Sequence, residues 1–406
     1  MKSKPIMLLF TVITLALAST SLAQDWVAQS SGTSIPLTGV WFTNAQNGWA
    51  VGDLGTSIRT TDGGSTWTSF ILTAQDLQSV AFKDPSIGLI VGDNGTIFRT
   101  SDGGASWAPV GSGTSSNLAA VGFGAGQLAY AAGRDGVILR SNDSGASWTL
   151  VETGDNRYRD LFAVGTKAWI VGNDGVYKSS IDGGVTWSEQ ILAGGSDLKG
   201  VFFLDELEGW AGGQNSTLIY TSNGGATWNP RSTNINVGID AVQFVNSSEG
   251  WAVGNLGTIY LSLDGGLSWL AEPSGTSNEL NNLYFLGSAL GWAVGDLGTI
   301  LVRSIPTSVP GQVPLASLNI SGHPNPFNPS TTLSLKLPAS GVVQVEILDL
   351  RGRRVKLLQD GHLSEGLTEI TWTGRDDAGR LVGSGVYFAR VSSSGGSETT
   401  KLVLSK

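Results

Sequence analysis

Short apolar runs that alternate with polar residues, each bounded by Gly, Asp or Asn, follow one another along most of the chain, and none keeps a helical period. Such alternation marks half-buried β-strands. The runs recur as a unit. Gly48-Trp-Ala-Val-Gly52 returns as Gly88-Leu-Ile-Val-Gly92, Ala129-Tyr-Ala-Ala-Gly133, Ala168-Trp-Ile-Val-Gly172, Gly209-Trp-Ala-Gly-Gly213, Gly250-Trp-Ala-Val-Gly254 and Gly291-Trp-Ala-Val-Gly295, in steps of 40, 41, 39, 41, 41 and 41 residues. A second motif keeps the same beat. Asp62-Gly-Gly-Ser-Thr-Trp67 recurs from Asp102, Asp143, Asp182, Asn223 and Asp264.

Each unit reads as four strands: a Leu-x-x-Val-x-Phe-like run such as Leu77–Phe82, the Gly-Trp strand, a run such as Thr56–Thr60 after a glycine turn, and a last run that begins at the motif Trp. Four strands per ~40–45 residues is the period of a propeller blade. The ends are complementary. The last unit lacks the Asp turn, and the mature N-terminus supplies an isolated Trp26 without one. The pattern therefore predicts that residues 24–304 form a seven-bladed β-propeller, with Trp26–Ser30 completing the last blade and leaving no open sheet edge.

The second motif reads Ser/Thr-x-Asp-Gly-Gly-x-Thr/Ser-Trp and is identified as the Asp-box, or BNR repeat. Together with the Gly-Trp-Ala-Val-Gly strand it resembles the photosystem II assembly factor-like (plant HCF-type) BNR propellers. The resemblance implies the propeller fold and, as one functional expectation, a scaffold for a membrane complex. Asp62, Asp102, Asp143, Asp182, Asn223 and Asp264 are expected to be structural. An Asx side chain accepts N–H bonds across a turn, and glycine supplies the left-handed residues. One carboxylate per turn is too few oxygens for Ca²⁺, so no metal is expected. The ring positions Trp49, Leu89, Tyr130, Trp169, Trp210, Trp251 and Trp292 read as packing between blades.

Composition narrows the chemistry. Among 406 residues there is no Cys, which excludes disulfides and thiolate chemistry, and both His residues (His323 and His362) lie near the C-terminus. Lys2 and Lys4 precede an apolar run from Ile6 to Ala18 that ends in small residues at Ala23. This is the plan of a signal peptide over residues 1–23, and the run is too short for a membrane span. From Gln24 to Ala316 there are 12 Lys+Arg and 25 Asp+Glu, a charge of −13. An acidic body repels phosphate backbones, so nucleic acid is not an expected partner.

In such a fold the Asp-box hairpins share one face. The loops leading into each blade share the other, and a ligand is expected there, near the channel mouth. Candidates on that face are Asp53, Asp93, Asp135, Asp174 and Asp296, with the dense cluster Arg157, Tyr158 and Arg159. Plain turn chemistry explains Asp and Asn at turns equally. Arg59, Arg99 and Arg140 stand at one register in consecutive units. Two readings stay open for them: a basic stripe for a carboxylate, or stems packed on neighbouring blades. Sialidases also carry Asp-boxes, but their early Arg-Ile-Pro motif survives only as Ser34-Ile35-Pro36, and the propeller has no His or Cys for triad chemistry. The expectation is a non-enzymatic, cofactor-free monomer that binds a protein or glycan, with a sialidase-like hydrolase as a further alternative.

Residues 305–316, with Pro306 and Pro310, read as a linker, and 317–406 as a β-sandwich with strands at Val342–Leu348, Thr368–Trp372, Gly385–Val391 and Thr399–Leu404. Pro324-Asn-Pro-Phe-Asn-Pro329, Asp349-Leu-Arg-Gly352, Gly385-Val-Tyr-Phe388 and Lys401-Leu-Val-Leu-Ser-Lys406 resemble the type IX secretion (type A) sorting domain, related to the FlgD-like Ig fold. That resemblance implies partnership with the type IX machinery and delivery to the surface of, or release from, a Gram-negative cell.

Overall fold

A computed structural model describes residues 26–231, 234–304, 319–337, 341–349, 354–364, 366–377, 379–393 and 396–405. The expected signal peptide and linker lie outside the described residues. The chain divides into two compact units, Met1–Ser304 and Ile305–Lys406.

The first unit is built from seven four-stranded antiparallel sheets. Blade 1 runs Leu37–Phe42, Gly48–Gly52, Thr56–Thr60 and Thr68–Ile71, from the inner edge outwards, and blades 2 to 6 repeat this order. Blade 7 takes three consecutive strands, Leu280–Gly287, Leu290–Gly295 and Thr299–Ser304, and its outer strand is Trp26–Gln29. Trp26 pairs with Arg303 and Gln29 with Ile300. The ring is therefore closed by the N-terminal strand, as the unpaired Trp26 predicts.

The Gly-Trp strands are buried along their whole length. Their glycines are steric necessities. A Cβ at Gly48 would strike the Phe42 ring, and one at Gly52 the Pro36 carbonyl. That clearance lets the Phe of the first strand turn toward the preceding blade. Phe42 stacks on Trp292 at 3.4 Å, Phe203 on Trp169 at 3.6 Å, Phe244 on Trp210 at 3.8 Å and Phe285 on Trp251 at 3.9 Å, within 12° of parallel. The Asp-box Trp of the same blade meets that Phe edge-on, as Trp67 meets Phe42 and Trp269 meets Phe244 at 5.9 Å. In blade 7 the edge-on ring is Trp26, 5.8 Å from Phe285. The N-terminal strand thus supplies both the missing ladder and the missing ring.

The second unit is a two-sheet sandwich. Asn319–His323, Thr331–Leu337 and Gly366–Trp372 form one sheet; Arg354–Leu363, Gly341–Leu348, Gly385–Ser393 and Gly396–Leu404 form the other. Ile320, Leu333, Val345, Trp372, Val391 and Leu402 fill the space between. Three of these strands, Asn319–His323, Thr331–Leu337 and Arg354–Leu363, were not expected from sequence; the first and last are interrupted by glycine. The Pro-Asn-Pro-Phe-Asn-Pro segment secures the last strand. Asn325 accepts from the Val403 N–H at 2.8 Å and donates to the Lys401 carbonyl at 2.7 Å, while the Phe327 N–H donates to the Val403 carbonyl at 2.9 Å.

Trp26 is nearly inaccessible, whereas Val27 is 55 % exposed. Trp26→Ala is expected to lower unfolding free energy by about 3–5 kcal/mol in chemical denaturation, and Val27→Ala to change it little.

Candidate functional site

On one face the Asp-box carboxylates are held within their own turns. Asp62 accepts from the Thr66 hydroxyl at 2.6 Å, the Thr66 N–H at 2.9 Å and the Thr60 hydroxyl at 2.8 Å. The Thr60 hydroxyl also receives the Gly64 N–H at 2.8 Å. Asp102, Asp143 and Asp182 repeat the set with Ser106, Ser147 and Thr186. These hydrogen bonds, led by the Ser or Thr hydroxyl, hold Asp62, Asp102, Asp143 and Asp182 at about 2. Asp264 is lowered by the same cause. Asn223 keeps the geometry by reversing one bond, its amide donating to the Thr227 hydroxyl at 2.9 Å.

The three register-matched arginines belong to this face, and they do not form a free basic stripe. In five of the six Asp-box turns the carbonyl after the Asp or Asn takes a side-chain donor from the preceding blade. Trp169 supplies it to Gly224 at 2.9 Å, Trp210 to Gly265 at 3.1 Å, and Gln29 to Gly63 at 3.1 Å. Where the ring residue is Leu89 or Tyr130 there is no indole N–H, and the arginine substitutes. Arg99 Nε donates to Ser144 O at 2.9 Å, and Arg140 Nε to Gly183 O. Arg59 lies over the Trp49 ring at 5.6 Å. Structural docking is the physical reason for the shared register of Arg99 and Arg140.

The opposite face carries the channel mouth. It is lined by Asp53, Arg159, Lys199, Asp240, Asn281 and Asp296, among others. Asp53, Asp93 and Asp296 take the first place in their turns and stand half-buried around the rim. Burial raises Asp53 above the ordinary carboxylate range, and the charges of Asp76, Asp296 and Asp93 raise it further. Asn281 donates to Asp296 at 3.2 Å, and Gln78 to Asp93 at 3.3 Å. Asp135 and Asp174 occupy the second place, with φ of 57° and 55°, and are exposed. Asp174 contributes its backbone N–H to the Asp197 carboxylate at 2.8 Å, and Leu54 does the same to Asp76 at 2.9 Å. Asp76 and Asp197 are thus engaged in joining blades.

Tyr158 is corrected from a contact residue to a core residue. It is 1 % exposed, and burial pushes its hydroxyl upward. It holds the Leu position of its blade's first strand, which points inward. Arg157 and Arg159, on either side of it, remain at the mouth. Burial lowers Arg159 first; the neighbouring Arg157 and Arg134 lower it further, while Asp197 and Asp240 oppose them. Among the described residues, none of these three arginines has a carboxylate within ion-pair distance. Arg157 Nε is buried without a hydrogen-bond partner. Next to them Lys199 pairs with Asp240, whose Oδ2 is buried and unpartnered. The basic groups therefore gather on blades 3 to 5, where Asp135, Asp174 and Asp197 stand among them.

The family described as "Photosynthesis system II assembly factor YCF48" matches residues 68–157 and 229–304. Over these two stretches the propeller is similar to that family. The solved structure "YCF48 bound to D1 peptide" is 23% identical, with a TM-score of 0.59, and the match covers 69% of this chain and 97% of that one. "YCF48 from Cyanidioschyzon merolae" is 19% identical, with a TM-score of 0.59, covering 69% and 99%. PorZ of Porphyromonas gingivalis, described as an essential bacterial surface component of the type-IX secretion system, is 16% identical with a TM-score of 0.51, covering 94% of this chain and 60% of PorZ. At these identities the likeness establishes the fold. The FlgD Ig-like domain family matches residues 325–397. No curated protein matches the chain.

Arg134, Asp160, Lys199 and Asp240 were not picked out from the sequence. Their signal was present: all but Arg134 occupy the x positions of the Leu-x-x-Val-x-Phe pattern, which the closed ring turns toward the channel.

Arg99→Ala and Arg140→Ala are each expected to cost about 1–3 kcal/mol in denaturation, because a carbonyl loses its donor. The carboxyls of Asp62, Asp102, Asp143 and Asp182 sit below their ordinary value of 3.8, at about 2. Their contribution is complete above that ordinary value and is lost as pH falls through about 2. Melting temperature should therefore drop on acidification between pH 4 and 2, with a shallower drop in Asp182→Asn.

Proposed function

We propose that this chain is an exported, non-enzymatic propeller that holds a carboxylate-bearing protein segment at its channel mouth, and that the C-terminal sandwich directs it to the cell surface. One observation carries the binding reading: Arg134, Arg157 and Arg159 crowd together without a carboxylate partner among the described residues. Like charges held this way favour an anion that can pair with guanidinium forks. A peptide-bound YCF48 structure and a surface component of a secretion system, both sharing the fold, support a protein ligand over a glycan. The buried ring tryptophans, such as Trp49 at 1 % and Trp210 at 0 % exposure, offer no stacking face to a sugar. For a sialidase-like reaction, Arg99 and Arg140 are already committed to backbone carbonyls.

The second reading, a scaffold that holds a subunit during assembly of a membrane complex, uses the same surface. It is favoured by the YCF48 family match.

A panel of acidic peptides with free or amidated C-termini, read by fluorescence anisotropy, tests the mouth. The double change Arg157→Ala and Arg159→Ala is expected to weaken binding at least tenfold (about 1.4 kcal/mol), and added salt to weaken it too. Equal affinity in the variant would overturn the reading. Deleting residues 317–406 should leave the protein in the periplasm, and unchanged surface exposure would refute the sorting role.

A further inference from the structure

The channel below the mouth has its own chemistry, independent of the anion reading above. Its wall is made by the first strands of the blades. At the fifth position of those strands two aromatic pairs face each other across the ring. Trp41 and Tyr284 meet at 4.7 Å on blades 1 and 7, and Phe162 and Phe202 at 4.8 Å on blades 4 and 5. Blades 2 and 3 carry the small residues Ala81 and Gly122 there. The cavity measures about 230 Å³.

One charged side chain lines it, Asp160. Its Oδ1 accepts the Leu161 N–H and its Oδ2 the Val201 N–H of the next blade, each at 2.8 Å. Both oxygens keep a further acceptor position, and no Lys, Arg or His pairs with Asp160 among the described residues. Burial raises its carboxyl to about 6. At neutral pH an anion thus stands in an aromatic chamber with only amide dipoles to balance it, an arrangement that favours a cation.

We propose that the channel receives one unbranched alkyl cation, an ammonium or guanidinium on a methylene stem, with its head on Asp160 and its stem between the aromatic pairs. A carboxylate only accepts hydrogen bonds, and the negative faces of aromatic rings attract cations. The volume is below the ~300 Å³ at which pockets begin to take drug-sized ligands, so a narrow stem fits and a bulky ligand does not. The cation can be a free amine or the side chain of a bound segment.

Calorimetric titration of the full chain distinguishes these sources. Agmatine serves as the free cation, acetyl-Gly-Gly-Lys-Gly-Gly-amide as the side chain, and 1-pentanol as the neutral control. One-to-one binding of agmatine, and none of pentanol, is expected. Asp160→Asn should weaken it at least tenfold, with some loss of melting temperature, because the amide oxygen accepts only one of the two N–H bonds. Phe202→Leu should weaken it severalfold and serves if the first variant is unstable. Binding of the lysine peptide alone assigns the site to a partner side chain. No binding of either cation at millimolar concentration, or equal affinity in both variants, would overturn the proposal.

Discussion

The face-to-face contact between the ring Trp of one blade and the Phe of the next is the interaction on which this propeller depends. A sheet with two apolar faces cannot bury both alone, so each blade must find a neighbour on either side, and the last must find the first. Stacked indole and phenyl rings, capped edge-on by a second indole, provide that contact over a large area and with a defined angle. Trp26 completes the cycle for blade 7. Without its strand, the outer edge of Thr299–Ser304 would stand unpaired and Phe285 would lose its cap.

Where the aromatic pattern lapses, the substitutions are compensated locally. Leu89 and Tyr130 lack the indole donor, and Arg99 and Arg140 reach the same carbonyls. Blade 4 has Ala163 where others have Phe, and Tyr130 closes on Trp187 edge-on at 6.2 Å. The Asp-box carboxylates are engaged within their own turns. Variation is left to the opposite face and to the channel.

The two ends of the channel differ in kind. The mouth mixes Arg159 and Lys199 with the carboxylates of Asp53, Asp240 and Asp296. The chamber beneath is aromatic with a single carboxylate. In the second unit, the proline-rich segment grips the final strand through Asn325 and Phe327, which ties the last residues of the chain into the sandwich fold.

The repeat by itself determined the blade number, the strand order and the closing strand. Steric and aromatic requirements recur every 40 or so residues, and a recurring requirement is visible in one sequence. It also set the Asp-box chemistry, because those bonds span only a few residues. What the sequence left open is what closure decides. The same register that made Arg59, Arg99 and Arg140 look like a stripe places two of them on a neighbour's carbonyl, and Tyr158, read with its two arginines as one cluster, turns inward while they stay at the mouth. Asp160 and Lys199 sat in the unremarked x positions of an apolar pattern, and only the curvature of the ring brings those positions from seven distant segments to one axis.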